Sequence, residues 1–106
     1  MIIARFRSKG GLYTGYTVSG HAGGSASAEN NLICAAVSSA AYMTVNTITD
    51  VIFCEADCED RDGYMRVDVT GAGERAEAAS TVIAGLRLHL KELADTYPGF
   101  ITLEEF

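Results

Sequence analysis

The chain is expected to fold as an α+β domain, two helices packed on a mostly antiparallel sheet in the order β-β-α-β-β-α-β. Three observations carry that expectation. Residues 2–7 and 64–69 alternate between two faces, the period of a half-buried strand. From Leu32 to about Thr47 the chain is apolar nearly all the way round, as in a central helix covered on most sides. Ala79, Ile83, Leu86, Leu90, Leu93 and Tyr97 recur at intervals of 4, 3, 4, 3 and 4, one stripe of an amphipathic helix. Strands and helices in this mixture bury their apolar faces by layering helices on one sheet.

Each element follows in turn. Ile2, Ala4 and Phe6 face one way and Ile3, Arg5 and Arg7 the other, which makes the first strand. Lys9-Gly10-Gly11 supplies a turn, and Leu12 to Val18, rich in Tyr, Thr and Val, returns as the second strand of a hairpin. Ser19 to Asn31 has no periodicity and holds Gly23, Gly24, Ser25 and Ser27, so it reads as a long loop of the kind that carries function. Asn30 or Asn31 is the expected N-cap of the helix from Leu32. Asp50 to Glu55, with Val51, Ile52 and Phe53, reads as a strand, and Asp57 to Gly63 as an acidic turn. Tyr64 to Val69 places Met65, Val67 and Val69 inward. After Gly71-Ala72-Gly73 comes the striped helix, which Pro98-Gly99 stops, and Phe100 to Phe106 is the last strand.

A length of 106 residues is expected to be one domain, 1–106, with a core that needs no staples. Three cysteines are an odd number, and Cys34 lies in an apolar segment, so no disulfide framework is expected. A net charge of −6 disfavours nucleic acid as a direct partner, because phosphate binding needs a basic face. The same charge favours encounter with basic proteins. No continuous apolar run approaches the roughly 20 residues of a membrane span, and Met1 to Arg7 reads as a strand in place of a signal peptide. A cytoplasmic location without membrane contact is the expectation.

One stretch carries chemistry. Gly20-His21-Ala22-Gly23 sets a histidine in a glycine-rich turn thirteen positions before Cys34. An imidazole beside a thiol, with a helix start that favours the thiolate, makes a nucleophile. With Asn30 or Asn31 as cap, Cys34 falls in the first helical turn, where unpaired N–H groups can also hold an oxyanion. The competing reading of Cys34, a small apolar residue in an alanine-rich helix, is the commoner one on spacing alone. His21 is the only good base, since His89 sits between Arg87 and Lys91 near a helix end and reads as a surface residue. Cys54 and Cys58, flanked by Glu55, Asp57 and Glu59, lack two further zinc ligands, and their acidic neighbours oppose a thiolate. They read as a strand-end and a turn cysteine, so no metal and no cofactor is expected, and the acidic run reads as a solvated turn.

The block from Gly20 to Ser38 resembles the Prp family of small bacterial cysteine proteases, whose pattern is Gly-His-Ala, a variable loop, then Asp-x-x-Cys-Ala-x-x-Ser. The matching residues are Gly20-His21-Ala22, Cys34-Ala35 and Ser38. The resemblance implies Cys34 as nucleophile and His21 as general base, with Gly20, Ala22 and Gly23 in a loop over the substrate. It further implies that the substrate is the N-terminal peptide of a large-subunit ribosomal protein, removed before that protein is used in the ribosome. A homodimer is implied too, with the apolar stripe of the last helix as a possible interface. Asn31 stands where the family has Asp; it can accept an imidazole N–H but supplies no charge. Ser38, one turn beyond Cys34, is read as a packing residue ahead of a catalytic one. Two rivals remain. One is a catalytically weak member that binds during ribosome assembly, for which Cys34→Ala would change nothing. The other is a redox-responsive thiol protein, oxidised at Cys34 without peptide cleavage.

Overall fold

A computed structural model describes residues 1–20 and 28–106 of the chain. Five strands and two helices follow the expected order: β1 (Ile2–Lys9), β2 (Leu12–Ser19), α1 (Ala28–Asn46), β3 (Ala56–Arg61), β4 (Tyr64–Val69), α2 (Gly73–Thr96) and β5 (Ile101–Glu105). The sheet runs β3-β4-β2-β1-β5. Its first three pairings are antiparallel and β1–β5 is parallel, so it is mixed but mostly antiparallel.

The hairpin β1–β2 closes on Gly10 and Gly11, both with positive φ (62° and 82°), the two-residue turn whose twist suits paired strands. Arg7 pairs with Gly15 and Ser8 with Tyr13, which leaves Thr14 as an extra residue in a β-bulge. The bulge lets Tyr13 and Tyr16 pack on the same ring, with centroids 6.3 and 6.4 Å from that of Phe6. Both helices cover one face of the sheet. Ile2, Ala4, Phe6, Tyr16, Met65, Val67 and Ile101 meet Ile33, Val37 and Ala41 of α1 and Ala79, Ile83, Leu86 and Leu90 of α2. Buried Tyr16 donates its hydroxyl to the Ala41 carbonyl at 2.8 Å, pinning α1 to the sheet. Ala79, Ile83, Leu86 and Leu90 of the α2 stripe are thus spent on the core, while Leu93 is half-buried and Tyr97 exposed.

The other sheet face is polar. Arg7 donates to Thr17 Oγ1 (2.7 Å) and to Asp68 Oδ1 (3.0 Å). Arg66 bridges Asp68 to Asp57, and Arg5 pairs with Glu104 at 2.8 Å. Gly15 makes room for this: a Cβ there would lie 2.5 Å from the Val67 carbonyl oxygen and 3.0 Å from the Arg7 guanidinium.

Four expectations change. The helix starts at Ala28, so neither Asn30 nor Asn31 is its cap. α1 is not covered on most sides: Ile33, Val37, Ala41 and Thr44 are buried, while Leu32, Ser38, Tyr42 and Met43 are exposed. By length and composition Asn30–Val51 is apolar enough to cross a membrane, yet its buried stripe is part of this domain's core. The strand expected over Asp50 to Glu55 is absent. The helix instead widens into a π turn, Thr47–Val51, that buries Ile48 completely. Thr44, Thr47 and Thr49 bond back to carbonyls four residues earlier, which loosens the α ladder there. Lastly, the acidic run read as a turn is strand β3, an exposed edge whose charge guards against edge-to-edge pairing. Glu59 faces Arg66 across the ladder, and Arg66 also bridges the facing pair Asp57 and Asp68.

Candidate active site

A groove of about 500 Å³ opens between α1 and the end of the β3–β4 hairpin. Ile2, Val18, Val37 and Met65 form its apolar floor. Cys34, Ser38 and Tyr42 lie along one wall, four residues apart on one face of α1. Asp60, Arg61 and Tyr64, with the Asp62-Gly63 turn, form the opposite wall.

Cys34 is half-buried, packed on the core from one side and open to the groove on the other. It is the seventh residue of α1, beyond the first turn whose amides lack helical partners. The expected use of helix-start N–H groups at the thiol therefore does not hold. Ser38 is exposed on the groove side, so it is not the packing residue that its helix position suggested. Asn31 is exposed on α1 one turn before Cys34.

Gly20 lines the same groove from the end of β2. Its N–H donates to the Gly63 carbonyl at 2.9 Å, which ties β2 to the hairpin turn. Its φ is 90°, and a Cβ would lie 2.3 Å from the Met1 carbonyl oxygen. Only glycine fits there. His21, the next residue in the chain, lies outside the described residues together with Ala22 and Gly23, as does the expected loop over the site. His89 is exposed, as expected.

The opposite wall was not foreseen. Tyr42 donates its hydroxyl to the Asp60 carboxylate, 2.8 and 2.9 Å from its two oxygens. That bond, more than anything else, raises the phenol above its ordinary value. The Arg61 guanidinium sits 4.1 Å above the Tyr64 ring. Tyr42 stands at i+8 from Cys34, a helical spacing that would have flagged it had α1 not been read as covered.

The other thiols fit a structural role. Cys54 is buried just after the π turn, and Cys58 is in strand β3, not in a turn. Burial, and then the Asp57 carboxylate, push the Cys58 thiol up, away from reactivity. Among the described residues no group of His, Cys, Asp or Glu is arranged to hold a metal.

A half-buried thiol on a helix wall, open to a groove, is an arrangement that a thiol hydrolase can use. The family described as cysteine protease Prp matches residues 1–102, and the chain belongs to it. It is a cysteine protease. Among solved structures it is similar to SMU.848 from Streptococcus mutans, at 27% identity and TM-score 0.83, covering 100% of this chain and 94% of that one. It is similar also to the ribosomal processing protease Prp from S. aureus, solved with a covalently linked product peptide (19% identity, TM-score 0.86) and with a substrate peptide (18% identity, TM-score 0.84). Those two likenesses cover 100% of each chain and bear on the fold. A search of curated proteins finds no match.

Proposed function

We propose that this protease removes a short N-terminal extension from a large-subunit ribosomal protein. The observation that carries the reading is Cys34 opening into the groove beside Gly20 and Ser38, the positions that match the family's Gly-His-Ala and Cys-Ala-x-x-Ser pattern. The Cys34 sulfur attacks the scissile carbonyl carbon, and His21 takes the thiol proton and gives it to the leaving amine. Water then hydrolyses the thioester, freeing the thiol and the new carboxylate of the extension. With Cys34 past the first helical turn, Ser38 Oγ is the donor on its side of the groove for the developing oxyanion. Asn31 accepts the imidazole N–H and orients it without adding charge. The reading places the enzyme in the cytoplasm as a homodimer, with no nucleic acid or membrane as partner; sedimentation of the purified protein checks the dimer.

The test is to incubate the purified chain with a large-subunit ribosomal protein carrying its N-terminal extension and to weigh the products. Wild-type protein should release the extension at one bond. His21→Ala should slow release by at least about a hundredfold, the usual contribution of a general base. An intact extension after many hours with reduced Cys34 would overturn the reading.

A further inference from the structure

The groove's far wall bears on which peptides the protease accepts. Tyr42 and Asp60 face each other across it, the carboxylate fixed by the phenol at 2.8 and 2.9 Å. Among the described residues that phenol is the carboxylate's one hydrogen-bond donor, which leaves most of its roughly four acceptor sites for another partner. The neighbouring cation does not compete for them: Arg61 lies over the Tyr64 ring and its nearest carboxylate is Glu59, at 3.9 Å. Asp62 adds a second negative charge to the same wall. From Cys34 to Tyr42 is eight residues of α1, a rise of roughly 12 Å. An extended peptide covers that distance in three or four residues, at about 3.3 Å each.

We propose that the Tyr42–Asp60 pair is a specificity subsite for a lysine or arginine side chain of the substrate, three or four residues from the scissile bond. Asp60 supplies the charge, and Tyr42 is a positioning residue that holds the carboxylate toward the groove. The inference needs the protease activity but not the ribosomal substrate, so the two stand or fall separately.

A library of end-capped ten-residue peptides, randomised in sequence and read by mass spectrometry after partial digestion, tests it. With wild-type protein, Lys and Arg should exceed Asp and Glu by about fivefold at the third or fourth residue on one side of the cut, the scale of a solvent-accessible ion pair. Asp60→Asn keeps an acceptor for the Tyr42 hydroxyl and removes the charge, so it should erase that preference and leave the residues at the cut unchanged. Asp60→Lys should reverse it. Tyr42→Phe should retain a weaker preference. Retention of the same peptides on immobilised Cys34→Ala protein gives the comparison without turnover. No charge preference in digestion or retention, or one that survives Asp60→Asn, would overturn the subsite and leave ribosomal-protein processing untouched.

Discussion

Gly20 shows how a single residue shapes the site. It lies between β2 and His21, has a φ only glycine adopts readily, and has no room for a Cβ beneath the Met1 carbonyl. Gly20→Ala should therefore cost at least about 2 kcal/mol, read as a fall in Tm of roughly 10 °C. An unchanged Tm would mean that the close approach relaxes freely. Ser38 makes the complementary case. It is exposed and lines the groove, so Ser38→Ala should leave Tm unchanged. It should lower kcat by about a hundredfold, the lower end of losing one oxyanion donor. A loss of stability with kcat intact would restore the packing role that its helical position suggests.

Among elements, the polar sheet face is a charge ladder with a definite pH signature. Burial alone would raise the Asp68 carboxyl, but hydrogen bonds and charge from Arg66 and Arg7 outweigh it and hold the group below its ordinary value. A carboxylate depressed in the folded state adds stability that is complete above the unfolded value, about 4, and fades as pH falls through the folded one. Asp68→Asn should thus be less stable than wild type at pH 7 and lose less on acidification below about pH 4, followed by urea unfolding across pH. Parallel curves would remove Asp68 from the acid response. The same ladder explains what could be read from the sequence and what could not. β1, β4 and α2 carry period-two or 3.6 patterns and β2 a run of strand-favouring residues, and all four form where expected. β3 has no such pattern: it is a run of charged residues that the β3–β4 hairpin sets beside Arg66, which pairs with Asp57 and Glu59. Val51, Ile52 and Phe53 suggested a strand, but burial of Ile48 and the threonine back-bonds extend the helix instead. The start of α1 was misplaced because two asparagines offered a cap that the fold does not use. Cys34 was therefore found by motif, while the wall facing it came from tertiary packing.

At the scale of the whole molecule, a net charge of −6 and a carboxylate-bearing groove wall should act on encounter with a basic protein. For cleavage of an extended ribosomal protein, kcat/KM should fall as ionic strength rises while kcat changes much less, because screening weakens approach more than local bond breaking. A salt-independent kcat/KM would make the acidic surface a solubility feature alone. All of this depends on Cys34 being the atom that attacks. An acid quench of the reaction during its first turnover, followed by peptide mapping, observes that directly. The released extension should be found as a thioester on Cys34, with no adduct and no cleavage in Cys34→Ala. Cleavage that persists in Cys34→Ala, or an acyl group mapped to Cys54 or Cys58, would contradict it.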